Sequence, residues 1–177
     1  MLFTFKKSYS QDKNYNCYIK NLTYTSPSSL EFDIIIEWTG TNTQKLTFFQ
    51  GGINFNYEGM SNGGIITGLF KPGSASKILP VVQQKPNWNI NQTSKKIRLL
   101  SSIAMDSVAV PIPPSPGFSL GTFVMTNTVP FSKSSKPDFV WSFLPGNGIT
   151  KTQLSVYFKG SKLAKDVTVQ KNFYVKE

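Results

Sequence analysis

The chain has 177 residues, enough for one domain with a sizeable core, and 39% of them are hydrophobic and 14% aromatic. It sets 19 Lys and Arg against 9 Asp and Glu, a formal net charge of +10, with no histidine and one cysteine, Cys17. That composition excludes an internal disulfide and removes most routes to zinc sites, thiol–imidazole pairs and serine–histidine–acid machinery. No apolar run approaches the roughly 20 residues a membrane-spanning helix needs.

The positive charge is lysine charge, since Arg98 is the only arginine and Lys6-Lys7 and Lys95-Lys96 are the only adjacent pairs. Nucleic-acid readers cluster their charge and add arginine for bidentate contacts. Scattered single lysines describe a solvated surface instead, with at most weak attraction to acidic polymers or anionic surfaces. Cys17 reads as a small buried hydrophobe.

The opening stretch, MLFTFKKSYSQDKN, has a short apolar piece, a basic pair and small polar residues. Residues 1–14 read as a signal-peptide remnant processed near Ser10-Gln11 or as a disordered start; a first strand edge is the other reading. From Tyr15 onward, alternating or continuous apolar runs recur between turn residues. They predict strands over 15–24, 30–38, 45–57, 64–70, 78–83, 95–105, 118–127, 138–143, 152–158 and 166–175. No segment carries a long 3.6-residue apolar period, so helix is expected only in single turns. The gaps are rich in Gly, Pro, Asn and Ser, which set or free the backbone φ that turns need. The sum is an all-β, two-sheet antiparallel sandwich in residues 15–177.

In the run LEFDIIIEW at 30–38, Leu30, Phe32, Ile34, Ile36 and Trp38 face one way and Glu31, Asp33, Ile35 and Glu37 the other. The inward set, with Ile53, Phe55, Val140 and Trp141, is expected to supply much of the core. The three acids suggest a catalytic pair at first sight. A paired-carboxylate hydrolase needs two acids across a cleft about 5 to 10 Å apart, and the remaining acids are isolated in loops or near strand ends. A wet outer face is the reading that fits, with no catalytic residue and no metal site; a calcium loop would need several acids within a few residues.

Other motifs reduce to architecture. VPIPPSPG at 110–117 fits a link between strands better than a polyproline ligand. FFQGGINF and SNGGIITG lack the helix a phosphate cradle requires, so bulges or tight corners explain their glycines. NLT at 21–23 and NQT at 91–93 match the glycosylation sequon, and DSV at 106–108 is a weaker O-glycan candidate.

Taken together, SSLEFDIIIEWTG, LTFFQGGINFN, SNGGIITG, KKIRLLSSIA, PPSPG, FVMTNTVPF and PDFVWSF resemble, in this order, the cohesin-like domain of large secreted proteins from bacteria with type IX secretion. The resemblance spans about residues 15 to 175; TNTVPF at 126–131 is its most specific piece and NGG at 62–64 the next. It implies a nine-stranded jelly-roll sandwich of the cohesin and carbohydrate-binding superfamily, with an immunoglobulin-like sandwich as the alternative. It also implies a non-catalytic, secreted or cell-surface module for protein interaction or adhesion, without cofactors. Such family members continue into further domains and a C-terminal sorting domain, so this chain is expected to be a fragment, a processed module or a protein exported by another route.

The implied partner is another extracellular protein or domain, or a surface polysaccharide. A sheet face that docks a partner would include Phe48, Gln50, Asn54 and Arg98, with Phe48 covered by a loop as the competing reading. A carbohydrate-binding module would instead use an exposed aromatic platform, and Trp88 in KPNWNINQT reads as the loop-borne candidate. A subunit of a surface fibre is a third class, marked by an unpaired edge strand.

Overall fold

The computed structural model describes residues 14–134, 136–144 and 151–176. The readings offered for the start of the chain lie outside them. Eleven strands run in chain order among the described residues: β1 (Tyr15–Ser26), β2 (Ser29–Trp38), β3 (Gln44–Asn54), β4 (Ile66–Phe70), β5 (Asn87–Asn91), β6 (Lys96–Leu100), β7 (Phe118–Asn127), β8 (Val140–Trp141), β9 (Gln153–Phe158), β10 (Lys165–Asp166) and β11 (Phe173–Val175). Among the described residues one α-helix, the five-residue α1 (Tyr57–Ser61), follows β3. Asn56 caps it by accepting the Gly59 N–H at 3.0 Å.

One sheet has the order β11-β1-β2-β7-β4 and the other β10-β9-β3-β6-β5, with β8 beside the end of β3. Every pairing is antiparallel except β1 with β11, which is parallel. The two-sheet sandwich expected from the strand periodicity is therefore the fold. Its core lies between the sheets: Leu30, Phe32, Ile34 and Ile36 of β2 meet Leu46, Phe49 and Ile53 of β3, and all seven are fully buried. Phe32 packs tilted against Phe139 at 4.6 Å and edge-on against Phe123 at 5.3 Å, which builds the aromatic centre.

Trp38 and Trp141 face the core as expected. Val140 does not: in a two-residue strand its neighbour Trp141 takes the inner face, leaving Val140 59% exposed. Phe55 is only partly buried, at the edge of the cluster. Ile35 and Glu37, expected in water, are both buried, because the sheet's outer surface is covered there.

Three predicted strands change character. Residues 78–83 form a 3-10 turn, Val81–Gln83, whose Gln83 side-chain amide donates to the carbonyls of Thr47 and Ser102. The 95–105 run pairs only as β6; beyond it, Ser101 and Ala104 follow β3 through isolated hydrogen bonds. The 166–175 run breaks because Asp166 accepts both the N–H and the hydroxyl of Thr168, pulling the backbone off its ladder. Conversely Asn87–Asn91, read as loop, is β5.

The proline segment does link elements: Trp38 N–H donates to Pro113 and Leu46 N–H to Val110, so it stitches the end of β2 to the start of β3. Gly51 and Gly52 sit in unbroken register opposite Leu99 and Arg98 and mark no bulge. A Cβ on Gly51 would come within 3.2 Å of the Phe49 and Trp141 rings, so packing fixes that glycine. Gly63, at φ +79°, makes the tight corner after α1. Asn127 donates to the Ser61 carbonyl at 2.8 Å, and a Cβ on Gly64 would strike the Asn127 side chain. The two most specific pieces of the resemblance, NGG and TNTVPF, are thus in contact.

Candidate binding face

β3 carries an irregularity between Leu46 and Phe48, and Thr47 there is buried. The extra residue resets the alternation. Phe49, Gly51 and Ile53 then point into the core, and Phe48, Gln50, Gly52 and Asn54 point out. β6 contributes Lys96, Arg98 and Leu100 to the same outer face, β5 contributes Asn87, Asn89 and Asn91, and β9 contributes Gln153 and Ser155. The registers place these side chains in rows: Gln153, Gln50, Leu100 and Asn87 in one, then Gly52, Arg98 and Asn89, then Asn54, Lys96 and Asn91.

The four residues expected on one face, Phe48, Gln50, Asn54 and Arg98, are therefore together on the outside of the six-stranded sheet. Phe48 is half-buried and lies opposite Ser155. Gln50 donates to the Gln153 side chain at 3.3 Å. Asn54 is half-buried, with its side-chain oxygen shielded and unpartnered. Arg98 is exposed, makes no ion pair among the described residues, and lies in register opposite the buried Gly52. Asn87 and Asn89 are exposed as well. Sequence reasoning missed these two with β5; the signal was there in Trp88 and Ile90 alternating with asparagines.

Trp88 is corrected. It is not loop-borne but the second residue of β5, 5% exposed, with its ring stacked on Phe123 at 4.7 Å. Strand alternation sends it inward, so it offers no platform to a sugar.

The acids of β2 have structural partners on the opposite sheet's outer face. Glu31 pairs with Lys71 at 2.7 Å. Asp33 accepts from Asn21 at 2.7 Å and Thr122 at 2.6 Å. Glu37 accepts from Asn16 at 2.9 Å and Tyr18 at 3.1 Å. Burial, then the bond to Glu37 and its negative charge, push the Tyr18 phenol up to about 12. Tyr18 in turn stacks on Tyr174 at 5.2 Å. Among the described residues no three His, Cys, Asp or Glu gather to hold a metal. Cys17 is fully buried, and desolvation raises its thiol well above the ordinary range, so it stays a protonated packing residue. Of the sequons, Asn21 is engaged with Asp33, and the Asn91 side-chain oxygen accepts the N–H groups of Thr93 and Ser94.

No protein-family model matches the chain, and no curated protein sequence matches it. Among solved structures, the second type II cohesin module from the cellulosomal adaptor ScaA scaffoldin of Acetivibrio cellulolyticus is similar, with a TM-score of 0.50 and 13% identity over 94% of this chain and 95% of that one. The same module with its long C-terminal linker gives a TM-score of 0.49 at 13% identity, over 90% of this chain and 86% of that one. At this identity the likeness concerns the fold, which is a cohesin-like β-sandwich.

Proposed function

We propose that the chain is a non-catalytic protein-interaction module that receives its partner on the outer face of the six-stranded sheet. The observation that carries this reading is that the exposed Arg98, Asn87 and Asn89 share one face with the half-buried Phe48, and that Arg98 makes no ion pair among the described residues. A sheet face with an aromatic anchor and an arginine has the composition of an interface centre with a polar rim. The cohesin-like fold supports it, since the similar module belongs to a scaffoldin.

The setting we infer is outside the cell, at the surface or in the medium, as part of an adhesion or scaffolding protein of the type IX kind whose motifs the sequence resembles. No helix among the described residues is long and apolar enough to cross a membrane. The polysaccharide reading loses its main support with the burial of Trp88. The reading assigns the module no enzymatic role, because each β2 carboxylate already serves a structural donor.

The test uses a partner recovered from surface components. Phe48→Ala with Arg98→Ala should weaken its binding by at least about 2 kcal/mol, the size of a hot-spot loss. Unchanged affinity in the double variant would reject the face.

A further inference from the structure

A second surface lies at the far end of β1. β11 accompanies β1 only from Cys17 to Ile19, and Lys176 N–H closes the pairing on the Ile19 carbonyl at 2.8 Å. From Lys20 to Ser26 the outer edge of β1 has no strand beside it among the described residues. Leu22 to Ser26 offer roughly 13 Å of open edge at the usual strand rise, with register shifts against β2 on either side of Thr23 and Tyr24.

That edge borders a groove of about 840 Å³. Its near wall is Leu22 and Tyr24, 42% and 47% exposed, and its far wall is the segment carrying Phe131 and Phe139. Both walls are held in place. Phe131 N–H donates to the Pro27 carbonyl and Asn56 N–H to the Pro137 carbonyl, and Tyr24 meets Phe131 edge-on at 5.9 Å. Lys133 and Lys136 line the groove against one acid, Asp138, and neither makes an ion pair among the described residues; Lys176 also lines it, with its ammonium over the Tyr18 ring.

We propose that this groove takes an extended acidic peptide segment of a different protein, added as a strand along β1 between Leu22 and Ser26. The open edge supplies main-chain hydrogen bonds, and the apolar walls take alternate side chains of the incoming strand. The lysines choose the sign of the partner. A second copy of a chain with net charge +10 meets like charge there, and so does its own Lys6-Lys7 segment. An acidic polysaccharide would satisfy the lysines but leave the apolar walls unfilled. The site is separate from the outer face of the six-stranded sheet and does not depend on it.

The probe is a short peptide alternating valine and glutamate, compared by fluorescence anisotropy with its valine–lysine counterpart and with alginate. The full chain should bind the glutamate peptide, and Lys133→Glu with Lys136→Glu should weaken that binding at least tenfold. Leu22→Asn, on the exposed wall, should weaken it too, while Phe48→Ala with Arg98→Ala should leave it unchanged. Raising the salt should lower the affinity. Failure of the glutamate peptide to bind, equal binding of the lysine peptide, or binding of alginate alone would overturn the proposal. Self-association in sedimentation that Leu22→Asn abolishes would overturn it in favour of a fibre-like contact between copies.

Discussion

On the outer face of the five-stranded sheet each carboxylate of β2 has a donor from the same chain, whereas on the outer face of the six-stranded sheet Asn87, Asn89 and Arg98 stand exposed, and Arg98 makes no ion pair among the described residues. Both faces arise from the same period-two alternation. The difference lies in what covers them: Tyr18 stacks on Tyr174, Lys176 sits 5.0 Å over the Tyr18 ring, and the Lys71 side chain reaches Glu31. The covered face has its polar groups satisfied within the fold, so changes there should read out as stability. The open face has little to lose in the free protein, so changes there should read out as binding.

The largest expected effect belongs to the core the faces share. Trp88→Ala should cost about 3 to 5 kcal/mol in urea unfolding, as large buried aromatics do. A loss under about 1 kcal/mol would return Trp88 to the surface and revive a sugar platform. Next comes the covered face: Glu37→Ala leaves the Tyr18 hydroxyl and the Asn16 amide without their acceptor and should cost about 1 to 3 kcal/mol. The smallest effect is Arg98→Ala, expected within about 0.5 kcal/mol of the parent. Equal costs for Glu37→Ala and Arg98→Ala would erase the distinction between the faces.

How far the sequence carried differs by element for physical reasons. β2 and β7 were legible almost to the residue, because each is a ten-residue run of mostly apolar residues between turn residues. β5 was not, since asparagine is depleted in strands and three of them mask the Trp88–Ile90 alternation. The apolar run at 78–83 misled in the other direction: Pro80 and the Gln83 bonds turn it into a 3-10 turn. Alternation placed Ile35 and Glu37 on the outer side but could not show that side covered, because Tyr174 arrives from the far end of the chain. Phe48, Gln50, Asn54 and Arg98 came together because β3 and β6 pair in simple register; the β1 groove draws on segments far apart in sequence and left no local mark.

The central claim, that a protein partner is received on the six-stranded sheet, has a direct readout in side-chain amides, which both faces carry. In an NMR titration with the partner, the side-chain amide signals of Gln50, Asn87, Asn89 and Gln153 should shift or broaden. Those of Asn16 and Asn21, held by Glu37 and Asp33 on the other sheet, should stay in place. Perturbation confined to Asn16 and Asn21, with Asn87 and Asn89 silent, would contradict the account.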